Sequence, residues 1–239
     1  MNMKKTVLMM LVLLMVAGLS LEAQEKPRLG VLRFTNATRI EWWTVSVARE
    51  MQDMMASELA STKAFTVLER NELDAVLAEQ DLSDSGRVDP ATAVKMGKIK
   101  GAKYLIAGTV TSFEKGVSGG GGKVRFKGLS VGGKKEKAYI AVDVKVVDTE
   151  TGEIVDTRTI EATVKAKAAG AGLSLRNFSI GGDAHKKTAT GKAIRACIIY
   201  ISEYLTCSLV NGKDAPCMKK WDRMDSKRRE KTKGAISLE

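Results

Sequence analysis

Histidine is nearly absent: His185 is the only one in 239 residues. Its solitude leaves no basis for His-based triads or multi-His metal sites. The one glycine cluster followed by lysine, "GGGGKV", lacks both the glycine spacing and the Ser or Thr of a phosphate loop. Acidic residues are scattered without a paired-carboxylate pattern. No catalytic, cofactor or metal site is therefore expected, and the chain reads as a non-enzyme. Aromatic residues make up only 5% of the chain, too few for broad interfacial girdles. Beyond the N-terminus, no run is long and apolar enough to predict a membrane-crossing helix.

Cysteine is scarce and odd in number: Cys197, Cys207 and Cys217. On one helix, Cys197 and Cys207 would lie about 15 Å apart, too far to pair. Cys207 and Cys217 flank the turn-forming "NGKDAP" and could form a disulfide; buried free thiols are the alternative.

At the N-terminus, Lys4 and Lys5 precede an apolar run from Val7 to Ala17, and Ala23 offers a small residue for cleavage. This order predicts a secretory signal peptide over residues 1–23, with an uncleaved anchor as the alternative. Export makes nucleic acid an unexpected partner. The net charge of +11 stays strongly positive without that segment, so an anionic partner is expected, such as an acidic polypeptide or lipid headgroups.

The pattern from residue 24 to 210 predicts one α+β domain, with helices on a mixed sheet. Strands are expected at Arg28–Phe34, Ala64–Arg70, Lys103–Glu114 and Ala138–Asp148, the last with Ile140, Val142, Val144 and Val146 on one face. "DTETGEI" turns the chain into a partner strand, "VDTRTIEATVKAKA". Helices are expected over Thr44–Ala60, over "NELDAVLAEQ" with Asn71 as cap and Leu73, Val76 and Leu77 inward, from Asp89-Pro90 to about Gly101, and over Thr188–Leu209. The basic tail, residues 211–239, reads as disordered or as a solvated helix.

Two segments do not suit a compact domain. In 119–147, Val124 and Phe126 alternate with Lys123, Arg125 and Lys127, and "GGKKEK" is the expected tip. In 160–178, Val164 and Ala166 alternate with Lys165 and Lys167, and Leu173 and Leu175 return after "AGAG". Such alternation marks strands with one dry and one wet face. A transmembrane barrel shared by several subunits would place lipid on the dry face. Exposed glycine-rich arms are the alternative.

Three stretches carry a family resemblance: "LERNELDAVLAEQ", "GTVTSFE" leading into the glycine-rich segment, and "VKVVDTETGEIV". Over about Arg28–Val210 the chain resembles the curli secretion channel family, CsgG. The resemblance implies a ring homo-oligomer, a nonamer, in the outer membrane. Each subunit would place a domain in the periplasm and give two hairpins to a common barrel. The implied partners are further copies of the chain, an unfolded secreted polypeptide, periplasmic accessory proteins and outer-membrane lipid. It also implies lumen-facing Lys123, Arg125, Lys127, Lys165 and Lys167, and lipid-facing Val124, Phe126, Val164 and Ala166.

The family's loop after the first strand narrows the channel. Here that loop, Thr35–Trp43, looks shorter; Ile40, Trp42 and Trp43 could form the constriction or staple the first helix to the sheet. The family's lipidated cysteine after the signal is not seen. A periplasmic binding module similar to the lipoprotein activators of penicillin-binding proteins is the main rival. An envelope structural protein whose basic tail binds anionic lipid or glycan is the third reading.

Overall fold

The computed structural model describes residues 25–118, 124–126, 129–131, 134–168 and 188–235. The expected signal peptide, Lys123, Lys127 and the return strand with Leu173 and Leu175 lie outside these residues.

Strands β1 (Arg28–Val31), β3 (Thr66–Leu68), β4 (Tyr104–Ser118), β7 (Lys134–Asp148) and β8 (Ile154–Ala168) form a sheet in the order β3-β1-β4-β7-β8. The short β2 (Thr35–Asn36) also pairs with β4. The β3, β1 and β4 pairings are parallel, whereas β4, β7 and β8 are antiparallel. The chain is thus α+β with a mixed sheet.

Helix α1 (Val45–Ser61) starts where Thr44 accepts a hydrogen bond from the Val47 amide. Its apolar stripe, Val47, Met51, Met55 and Leu59, is buried. Helix α3 (Ala189–Leu205) is capped by Thr188, whose side chain accepts from the Gly191 amide, and continues through a π-helical turn, Thr206–Asn211. It packs on β7, β8 and α1. Period-2 burial on β7 (Ala138, Ile140, Val142, Val144, Val146) meets the helical stripe Ile194, Ile198 and Ile201. Those two periodicities create one dry layer between sheet and helices.

Several expectations fail in instructive ways. Residues 93–100 are irregular rather than helical. Helix α2 (Leu73–Asp84) forms, but Glu72 takes the cap position and Asn71 instead donates to Asp53. Val76 and Leu77 remain about two-fifths exposed instead of facing inward. The stretch Ala189–Asn211 is long and apolar enough to cross a membrane by length and composition, contrary to the sequence reading. Its apolarity serves the core it fills. The basic tail folds as helix α4 (Met218–Gly234), docked by the buried Met218 and Trp221. Trp221 meets Tyr204 edge-on at 5.7 Å between ring centres.

Candidate functional site

The sheet does not end where the helices stop covering it. Strands β4, β7 and β8 each run for 15 residues, about 50 Å at the usual strand rise. The helix-covered part reaches Ala138 and Ile140 on β7 and Ala162 on β8. Beyond it the ladder continues in register to Ser118↔Lys135 and Lys134↔Ala168.

A bulge marks the exit. Pairing shifts between Val110 and Ser112 on β4, opposite Val142 and Ala141. Before it, Val110 faces the core; after it, Phe113 shares a face with Ile140. A bulge adds twist and re-aims side chains, as is common at barrel rims.

The face away from the helices carries a polar ladder beside apolar positions such as Leu105 and Val147. Thr159 donates to Asp143 at 2.7 Å, Tyr139 donates to Glu161 at 2.8 Å, and the Thr35 and Thr109 hydroxyls meet at 2.8 Å. Past Tyr139 this face turns basic: Lys137 stands opposite Lys165, and both are exposed. Lys135 and Lys167 pair two positions further along the ladder. Val164 pairs with Ala138 on the other face and is half-buried; Ala166 occupies the register position opposite Glu136.

The first hairpin departs from its expected form. Lys134–Lys137 lie within β7, with Lys135, Glu136 and Lys137 paired to β4 and Lys134 to β8, so "GGKKEK" is not the tip. The core pairings Val110↔Val142 and Phe113↔Ile140 set this register, and the strands carry it outward. Val124, Arg125 and Phe126 form β5 (Val124–Phe126), paired with Val131, Ser130 and Leu129 of β6 (Leu129–Val131), a separate two-stranded ribbon. The structure therefore brings Lys165 to the basic end of the long strands and places Arg125 in this ribbon.

The loop after β2 opens with Asn36, whose side chain accepts from the amide and hydroxyl of Thr38. Ile40, Trp42 and Trp43 follow, partly buried against the core. Trp42 packs edge-on to Phe113, 5.0 Å between centres, just past the β4 bulge. The loop is thereby tied to the root of the strand extension.

At the opposite edge, Cys207 and Cys217 are joined in a disulfide with Cα atoms 6.1 Å apart. Sequence spacing left this pairing open. Asp156 on β8 accepts from the Tyr204 and Ser208 hydroxyls, and Arg158 lies 4.9 Å over the Tyr204 ring while bridging Asp222 of α4 at 3.0 Å. This cluster fixes α4 along β8, and nothing in the sequence pattern announced it. Cys197 is buried, its thiol directed at the Ile160 carbonyl. Burial first, and the Glu161 charge second, push that thiol up to about 12. Among the described residues, no group of three or more His, Cys, Asp or Glu side chains could hold a metal.

Paired strands leaving a sheet for a hairpin ribbon are the features that comparison with known proteins can place. The sequence matches the family model of the curli production assembly/transport component CsgG over residues 14–236. The chain belongs to the CsgG family. It is 24% identical to the CsgG proteins of Salmonella typhimurium and Escherichia coli K12 over 135 residues, 55% of this chain. The match spans about half (49%) of those relatives' length. Similar solved structures include a hypothetical protein from Chlamydia trachomatis (TM-score 0.44, 11% identity, 76% of this chain and 96% of that one). A PelC dodecamer from Paraburkholderia phytofirmans is another (TM-score 0.35, 11% identity, 75% of this chain and 86% of that one).

Proposed function

We propose that this chain is the subunit of a ring-shaped outer-membrane pore through which an unfolded, acidic polypeptide is exported without hydrolysis. Family membership supports a role in curli-type secretion. The observation that carries the pore reading is the continuous ladder of β4, β7 and β8 beyond the helix-covered core. Beyond the helices these strands leave the face of Val164, in register with Ala138 and Lys115, uncovered; lipid or neighbouring subunits would cover it, and one subunit's hairpins are too few to close a barrel. Pooled hairpins from a ring homo-oligomer, a nonamer in the family's pattern, resolve both needs.

In this reading the domain built around α1 and α3 sits in the periplasm, where accessory proteins reach it. Lys165, with Lys123, Arg125, Lys127 and Lys167, lines the lumen, while Val124, Phe126, Val164 and Ala166 meet lipid. A basic lumen favours an acidic chain and repels a basic one, so conduction is set by width and lining charge. The loop of Ile40, Trp42 and Trp43 narrows the channel, its base held by the Trp42–Phe113 contact.

Deletion of residues 119–133 tests the reading. The shortened protein is expected to keep the α+β domain and its disulfide but to lose both membrane insertion and ring assembly. Unchanged assembly in the outer-membrane fraction would contradict the pore and favour a periplasmic binding module.

A further inference from the structure

Two helices of the domain, α2 and α4, carry exposed stripes of opposite charge whose members have no ion-pair partner among the described residues. Helix α2 follows β3, the edge strand at one side of the sheet. Between residues 72 and 89, Glu72, Asp74, Glu79, Asp81, Asp84 and Asp89 are balanced only by Arg87. Asp74, Leu77, Asp81 and Asp84 recur at the spacing of a single helical stripe, about 15 Å long. All are exposed, Leu77 by 41%. The following irregular segment, tied to α2 where the Val94 amide donates to the Ser83 hydroxyl, adds the exposed Val94, Met96 and Ile99.

Helix α4 runs along β8, the other edge among the described residues. Its inner face is Met218 and Trp221; its outer face carries Lys219, Arg223 and Lys227 at i, i+4 spacing, about 12 Å long. Like charges at that spacing weaken a helix rather than support it. None of these three cations, nor Asp74, Asp81 or Asp84, has an ion-pair partner among the described residues.

We infer that the acidic, partly apolar stripe of α2 is a docking surface for the basic stripe of α4 from a second copy of this chain. The inference rests on the ring reading above and gives it a lateral contact outside the barrel. A ring needs a heterologous contact, in which two different surfaces on opposite sides of each subunit meet. The stripes belong to different helices, α2 in the connection from β3 to β4 and α4 along β8, are similar in length and are complementary in charge. Leu77 on the stripe and the exposed Val94, Met96 and Ile99 of the following segment would exclude water around the pairs.

The test uses the full chain extracted in detergent from the outer-membrane fraction, with the oligomer fraction read by size-exclusion chromatography and electron microscopy. D74K/D81K/D84K and K219E/R223E/K227E are each expected to lower the ring fraction by about tenfold, because like charges then face each other across the contact. Combining the two sets restores opposite charges and is expected to restore rings. Restoration excludes misfolding as the cause of either loss. Wild-type rings with full assembly in both single sets would overturn the contact while leaving the pore reading intact. So would loss in both sets without restoration in the combination. If K219E/R223E/K227E assembles normally but no longer binds vesicles containing anionic phosphatidylglycerol, α4 serves lipid and the inference fails. A wild-type protein that yields no rings removes the ring reading, and this contact with it.

Discussion

Lys137 on β7 stands directly across from Lys165 on β8, on the sheet face turned away from the helices. Both belong to the part of the ladder that no helix covers. Directly opposed like charges weaken a strand pair by up to about 1 kcal/mol. K165E is therefore expected to strengthen this pair and, in an assembled channel, to shift ion preference from anions toward cations. Reversal potentials across a planar bilayer with a salt gradient read the shift. An unchanged reversal potential would place Lys165 outside the lumen.

Gly108 lies beneath the Phe34 ring, where an added Cβ would come within 2.3 Å of a ring carbon. Phe34 is buried and cannot swing out freely. G108A should therefore cost roughly 1 to 3 kcal/mol through overpacking, measured as a lower denaturant midpoint with an unchanged slope.

Trp42 and Phe113 tie the loop after β2 to the strand just past its bulge. W42A should destabilise the domain by about 2 kcal/mol through lost packing and the lost edge contact. If the loop narrows an assembled pore, as proposed, the same change is expected to raise conductance, because the loop loses its support. Stability loss with unaltered conductance would make the loop a staple alone.

Asp225 sits within α4, partly shielded. Burial would raise its carboxyl, but hydrogen bonds and charge from Arg228 and Arg229 prevail and hold it below the usual 3.8. A depressed acid stabilises the fold above the unfolded-state value and loses that contribution as pH falls through the folded one. Helix α4 should accordingly lose this contribution as pH falls below about 3.8. Trp221 fluorescence followed through an acid titration measures it. D225N should lower stability at neutral pH and flatten the acid response.

Cys197 and the Cys207–Cys217 pair should behave differently toward thiol reagents. Cys197 is 0% exposed and its thiol is pushed up to about 12, so iodoacetamide should leave the native protein unmodified. After denaturation one thiol per chain should react, and three after reduction as well. Modification of the native protein would show that the α3–β8 interface opens readily.

The elements that follow a strict period were legible in the sequence. Ile140 to Val146 at period two and Ile194 to Leu205 at helical spacing land where they were expected, because both faces meet one another in the core. The segment from Asp89-Pro90 to Gly101 has a helix-start signal but no face to bury, and it stays irregular. The bulge between Val110 and Ser112 breaks the alternation of β4. A period count cannot locate such a break, and each strand's outer faces depend on it. Docking of α4 rests on one tryptophan, a disulfide and the Arg158–Asp222 pair, contacts distant in sequence that composition masks behind a run of lysine and arginine. The polar ladder on the open face was written in Thr109, Asp143 and Thr159, but only the register shows that they line up.

Electron microscopy of the protein extracted in detergent from the outer-membrane fraction tests the central claim most directly. The account predicts rings with a central hole, crowned by a ribbed barrel to which every subunit contributes the extensions of β4, β7 and β8. A monomer that stays in the soluble fraction, with the long strands folded back on its own domain, would contradict it.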